Sequence, residues 1–274
     1  MSEAWEVMQW PLVACLLLPG ILVYYGLHIV RREVIFVDLA LAQVSALGIC
    51  VCVMLGHHGR EAHTFFWSFG FTLIGAAIFA LTRTSRVQRV PQEALIGIVY
   101  VVAAALGILL LSHSAEGNEE LRRTLVGDVL LVRPGEIGKT FAVYLAIGGV
   151  HWVFRRQFLT LTFEPEQAGA QGLVVRWWDF LFYALFGLVV TSFVQIGGVL
   201  LVFSYLIVPA VCANFLAEKL LPRMLIGWLT ATCASVVGLY ASYKLDWPTG
   251  AAIVCSLGAA LLITAVASRL RKGQ

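Results

Sequence analysis

Two polar side chains interrupt an otherwise apolar run, Asp38 and Gln43 in Val34-Ile35-Phe36-Val37-Asp38-Leu39-Ala40-Leu41-Ala42-Gln43-Val44. A carboxylate at the centre of a membrane helix costs about 2.5–3.5 kcal/mol on insertion scales, so it is seldom kept without a purpose. Asp38 reads either as a pathway residue or as a capping or packing carboxylate near the cytoplasmic end of a helix. Gln43 lies five residues further on. Five residues are about 500° of helical rotation, so the two side chains diverge by roughly 140° unless a π-bulge absorbs one residue.

Other groups could also do chemistry. His57, His58 and His63 fall in one short polar stretch, where they could collect a metal or simply be solvated. Asp128, beside Gly127 in a short apolar stretch, could line an external vestibule. His28 and His151 sit near predicted helix ends, as interfacial residues would. Glu93 and Asp246 mark helix boundaries, where dipole or turn roles suffice. No nucleophile–base pair, no His-Glu-x-x-His and no clustered cysteines are present, so covalent chemistry is not expected of this chain.

Whatever these residues do, membrane helices must position them. Of 274 residues, 60% are apolar and only 13% charged. A soluble domain carries nearer a quarter charged residues, so the excess apolar surface has to face lipid. The six cysteines all lie in apolar stretches and none forms a Cys-x-x-Cys pair, which fits polarizable filler. No basic stripe with interleaved aromatics points to nucleic acid. Glu3 and Glu6 stand where a secretory signal would be basic, so the first apolar stretch reads as a retained helix.

About 20 apolar residues cross a bilayer. Candidate spans are 10–30, 34–56, 64–82, 93–112, 137–154, 177–195, 197–217, 222–243 and 250–268. The expected fold is an all-α polytopic transmembrane bundle of about 8–9 spans, with residues 1–274 forming a single domain. Basic residues at Arg31/Arg32, Arg83/Arg86/Arg89, Arg155/Arg156/Arg176, Lys219/Arg223 and Arg269/Arg271/Lys272 fall at alternate ends. By the positive-inside rule they put the N-terminus outside and the C-terminus in the cytoplasm.

Two places depart from simple counting. The apolar stretch within 121–132 is too short to span, and a re-entrant or interfacial helix is expected there. Gly197-Gly198 separates two apolar spans, with Pro209 inside the second. This reads as a helix break of the kind found near transport paths, or as a tight turn between helices. No Gly-x-x-x-x-Gly-Lys-Ser/Thr loop occurs, so any ATP would have to be hydrolysed by a partner chain.

Four blocks resemble the ABC-3 permease family, the integral membrane subunits of zinc, manganese and iron ABC transporters. They are Gly26 through Arg31-Arg32 into Asp38 and Gly48; Glu93-Ala94-Leu95-Ile96-Gly97-Ile98; Gly197-Gly198-Val199-Leu200-Leu201-Val202 through Leu206-Ile207-Val208-Pro209-Ala210; and Gly238 through Ser242-Tyr243 to Pro248-Thr249-Gly250-Ala251. The likeness covers most of the chain. It implies a homodimeric or paired permease in a bacterial inner (plasma) membrane, with two cytoplasmic ATPase subunits and an extracytoplasmic substrate-binding protein. No cofactor would be bound by this chain; ATP acts through the partner, and a divalent metal is the cargo. Within the loop 155–176, Phe163, Glu164, Glu166, Ala168 and Gly172 look like the family's segment that docks on the ATPase. An ordinary capped interfacial helix fits the same residues.

The sequence departs from the family pattern at one place. The family pairs its intramembrane Asp with a His four residues later, whereas position 42 here is Ala. Two other readings therefore stay open. One is the same machine moving a metal chelate or another small solute, and the other is a non-transport assembly factor or intramembrane enzyme.

Overall fold

Backbone groups in a lipid-facing apolar run can be satisfied only within their own helix or a closed barrel, so such runs fold as helices. The computed structural model describes residues 3–56, 61–82, 91–112, 127, 129–170 and 172–272, and no strand occurs among them. In chain order the helices are α1 (Glu3–Leu17), α2 (Pro19–Arg32), α3 (Val37–Met54), α4 (Glu61–Thr82) and α5 (Gln92–Leu111). They continue as α6 (Pro134–Val153), α7 (Arg155–Phe163), α8 (Pro165–Ala170), α9 (Val175–Leu216), α10 (Leu220–Leu245) and α11 (Thr249–Lys272).

Among the described residues, seven helical stretches are long and apolar enough to cross a membrane, or eight if α6 and α7, bent by 77°, count as one. The protein is thus a polytopic helical membrane protein. Its apolar excess is visible on the outside: Ile98, Val101, Val102 and Leu109 of α5, and Leu262, Ile263 and Val266 of α11, are all exposed. In water such faces would drive aggregation; in a bilayer they are the ordinary lipid contact.

The first expected span, 10–30, is interrupted. Leu18 forms a turn and Pro19 opens α2, as suits a residue with no N–H at a first helical position. The expected spans 177–195 and 197–217 lie on one helical run of 42 residues, α9, in which two helices meet at a kink at Gly198 (φ 71°, ψ 167°). Straight, such a helix would be ~63 Å long, about twice the hydrocarbon thickness, so a bend is needed. Glycine is the residue that supplies positive φ without a Cβ penalty. Pro209 removes a second ladder bond from the same helix.

By internal contacts the chain forms two units. One comprises Met1–Val30, Leu125–Leu145 and Phe193–Gln274. Here α1 packs on α10, and α10 on α11. Tyr205 ties the interior together, its Oη sharing a 2.6 Å hydrogen bond with Ser235 Oγ and lying 3.5 Å from Cys15 Sγ. Between 121 and 132, the described part is Gly127 and a 3-10 turn at Val129–Leu131, which contacts α1 and α11. Gly127 lies so close to the Gly197–Gly198 backbone that any Cβ there would collide with it. Two separate oddities of the sequence thus meet at one place. Residues 121–126 and Asp128 fall outside the described residues.

The other unit comprises Arg31–Thr124 and Ala146–Ser192. Here α3 packs on both α4 and α5. A Cβ on Gly48 would come within 2.7 Å of the Trp67 carbonyl oxygen, so glycine permits the α3–α4 approach. Small residues at such crossings are how membrane helices gain contact without a hydrophobic drive between them.

Candidate functional site

Asp38 is the second residue of α3, in its first turn rather than at mid-helix. The helix begins after a turn at Glu33 (φ 57°), and Phe36 is its N-cap residue without any side-chain capping bond. The Phe36 amide N–H instead donates to Oε1 of Glu93 at 3.0 Å, from the first turn of α5. Glu93 thereby does across two helices what the acidic residue of a capping box does within one. A carboxylate beside a helix N-terminus is favoured by the helix dipole, which moderates the penalty for placing Asp38 there.

The penalty is not removed. Asp38 is 1% exposed, and neither of its carboxylate oxygens has a hydrogen-bond partner among the described residues. Oε2 of Glu93 is likewise buried and unpartnered among them. Buried carboxylate oxygens are ordinarily paired, and an unpaired set has two chemical uses, to take a proton or to take a cation.

Gln43 is not brought to this place. α3 is regular from Val37 to Met54, no π-bulge absorbs the extra residue, and Gln43 is partly exposed while Asp38 is buried. The face of α3 that carries Asp38 continues through Ala42 to Ser45, at spacings of four and seven residues. Ser45 Oγ shares a 2.6 Å hydrogen bond with Ser68 Oγ of α4. Thr72, one turn along α4, donates to the Ser68 carbonyl and lies 3.1 Å from Thr191 Oγ1 in the first half of α9. A buried line of hydroxyls therefore extends inward from the Asp38 face.

The basic pair Arg31-Arg32 divides in the structure. Arg31 is exposed, but the Arg32 side chain is 4% exposed and ion-paired to Asp179 Oδ1 at 2.9 Å. Its Nε donates to Thr162 Oγ1 at 2.9 Å, and its guanidinium carbon lies 3.9 Å from the centre of the Phe182 ring. Asp179 carried a signal that could have found it: a lone carboxylate in Trp177-Trp178-Asp179-Phe180 needs a buried partner. His28 and His151 are also buried rather than interfacial, at 0% and 4% exposure. His28 meets the Tyr24 ring edge-on, and His151 stacks on Phe158 with ring centres 4.1 Å apart.

The segment 163–172 folds around two helix ends. Glu164 closes α7, its N–H bonding to the Thr160 carbonyl, and its own carbonyl accepts from Gln167 at 3.0 Å to start α8. Pro165 takes the first position of α8. Leu173 N–H reaches back to the Ala168 carbonyl over Gly172 (φ 71°), a Schellman-type stop. Glu164, Glu166 and Gly172 are exposed, Phe163 is partly so, and Ala168 is buried. Thr162, the residue just before this segment, is the one bonded to Arg32.

Of the histidine group, His63 lies partly exposed in the first turn of α4, while His57 and His58 fall outside the described residues. No cluster of three or more His, Cys, Asp or Glu side chains able to hold a metal occurs among the described residues.

The sequence profile of the ABC 3 transport family matches residues 4–268. This chain belongs to the ABC 3 transport family. Among curated members, it is 30% identical to the manganese transport system membrane protein MntC of Listeria innocua, over 84% of this chain and 79% of that protein. It is 26% identical to the manganese import system permease protein ScaB of Streptococcus gordonii, over 87% and 83% of the two chains. Among solved structures, PsaBC from Streptococcus pneumoniae in complex with Fab superposes with a TM-score of 0.79 at 26% identity, covering 94% of this chain and 90% of that one. As an ABC 3 family member the chain is a transport subunit, and the family match spans all four sequence blocks that resembled it.

Proposed function

We propose that this chain is the membrane-spanning permease of an ATP-driven importer of divalent metal ions, with Mn²⁺ as its principal cargo. The observation that carries this reading is Asp38: a buried carboxylate whose two oxygens have no hydrogen-bond partner among the described residues. It stands in a chain related to proteins named as manganese permeases. Carboxylate oxygens suit Mn²⁺, and the missing imidazole at position 42 removes the donor that would favour Zn²⁺.

In this reading the permease pairs with a second permease chain in the plasma membrane. The N-terminus is outside and the C-terminus in the cytoplasm, with basic residues collected on the inner side. Two cytoplasmic ATPase subunits dock on Phe163, Glu164, Glu166, Ala168 and Gly172, and an extracytoplasmic binding protein delivers the ion. The exposed acidic tip of α8 and its buried Ala168 suit a segment seated in a partner's groove. Gly197, Gly198 and Pro209 give α9 a place to bend as access alternates between the two sides. This chain contributes the path, and the ATPase partner contributes the hydrolysis.

The test is ATPase stimulation. In the reconstituted complex, the binding protein loaded with Mn²⁺ is expected to raise ATP hydrolysis well above the unloaded binding protein. No stimulation by Mn²⁺-, Zn²⁺- or Fe²⁺-loaded protein, together with stimulation by a chelated metal or organic cargo, would overturn the proposal.

A further inference from the structure

The bend between α6 and α7 gathers side chains that the transport path does not use. α6 ends in Trp152 and Val153, 71% and 70% exposed, and α7 turns away from it by 77° at Phe154. A segment turned that far from a span runs close to the membrane surface. α7 buries Phe158, Leu161 and Thr162, while Arg155 and Arg156 in its first turn stay exposed. The Arg155 guanidinium carbon lies 4.8 Å from the centre of the Trp152 ring, joining the two sides of the bend. Phe154 meets Trp178 with ring centres 5.2 Å apart. That contact sets the corner against the first turn of α9, where Arg176 and Trp177 are exposed as well. No ion pair holds Arg155, Arg156 or Arg176 among the described residues.

We propose that the α6–α7 corner binds an anionic phospholipid, with Arg155 and Arg156 on its headgroup phosphate and Trp152 and Val153 along its upper acyl chains. Indole rings sit at headgroup level in a bilayer, and basic side chains beside them attract anionic lipid. The ligand is a lipid and not free phosphate, because the exposed indole and valine need an apolar cover that phosphate cannot give. Charge segregation favours a membrane over a partner protein. The arginines open α7, whereas the exposed carboxylates Glu164 and Glu166 follow about 13 Å further on, after its nine residues. An anionic leaflet attracts the first end and repels the second. The bound lipid holds α7 in the interface, next to the segment proposed to dock on the ATPase. This lipid site requires only that the chain spans a membrane, whatever its cargo.

The experiment titrates phosphatidylglycerol or phosphatidylcholine into the detergent-solubilised complete transporter and reads retained lipid by native mass spectrometry. The unaltered complex is expected to keep phosphatidylglycerol in preference to phosphatidylcholine. Arg155→Gln and Arg156→Gln should each weaken that retention about fivefold. Equal retention of the two lipids, or of phosphatidylglycerol by the unaltered complex and the double variant, would overturn the proposal. Loss of the ATPase subunits from the double variant, with lipid retention unchanged, would give the corner to the partner protein and overturn it too. A second readout needs no arginine variant. In vesicles, brominated phosphatidylglycerol is expected to quench the tryptophan fluorescence of the unaltered complex more than brominated phosphatidylcholine at equal content, and Trp152→Phe to reduce the difference. Equal quenching by the two lipids would overturn the site even if the arginine variants fail to assemble.

Discussion

Replacing Arg32 or Asp179 singly with alanine is expected to destabilise the protein by about 3–5 kcal/mol, because each leaves the other charge buried without its partner. The Arg32 guanidinium is almost fully enclosed, and it also loses its bond to Thr162 and its position over Phe182. A desolvated cation over an aromatic face is itself worth up to about 2 kcal/mol. In thermal unfolding of the detergent-solubilised chain, the shift should be on the order of 10 °C downward. The double replacement Arg32→Met with Asp179→Leu should recover most of that loss, since a well-packed apolar pair can match a buried ion pair. Single variants as stable as the wild type would show that the pair is not what holds this part of the chain.

The consequences reach past stability. Arg32 is six residues before Asp38 and bonds to Thr162, the residue before the segment assigned to ATPase docking. The recovered double variant is therefore expected to assemble while showing weaker coupling of ATP hydrolysis to uptake. The Thr162 bond is lost in it although the packing is restored.

Asp38→Ala is expected to have the opposite profile. Removing a buried carboxylate whose oxygens have no hydrogen-bond partner among the described residues takes away a destabilising group, so assembly and thermal stability should be unchanged or improved. Uptake of Mn²⁺ should fall at least tenfold, the loss expected when a ligand of a metal path is removed. Stability gained where activity is lost is the usual signature of a strained functional residue. Normal uptake by this variant, measured at equal amounts of assembled transporter, would reduce Asp38 to a structural residue.

The helical class and most helix positions were legible in the sequence because lipid imposes one rule on every span: the backbone must satisfy itself. The break at Gly197-Gly198 was legible because a glycine pair inside an apolar run readily supplies the positive φ of a bend. Continuity across it was not, because nothing in local composition separates a kink from a turn. Counting apolar residues put Asp38 inside a span, whereas it stands in the first turn of α3, which starts one residue before it. Arg32 shows the limit more sharply. A basic pair after an apolar run is a topological signal, and that signal is silent about which arginine turns inward to find Asp179, 147 positions away. Glu93 was likewise readable as a boundary residue, while its hydrogen bond to Phe36 depends on packing between two helices that the sequence does not align.

The most direct measurement is ATP-driven accumulation of radioactive Mn²⁺ in vesicles containing the complete transporter, with Mn²⁺-loaded binding protein supplied on its own side. Accumulation that requires ATP, exceeds that of Zn²⁺ under the same conditions and disappears in Asp38→Ala is the expected result. ATP hydrolysis accompanied by accumulation of a chelate or organic solute, and of no free divalent ion, would contradict it.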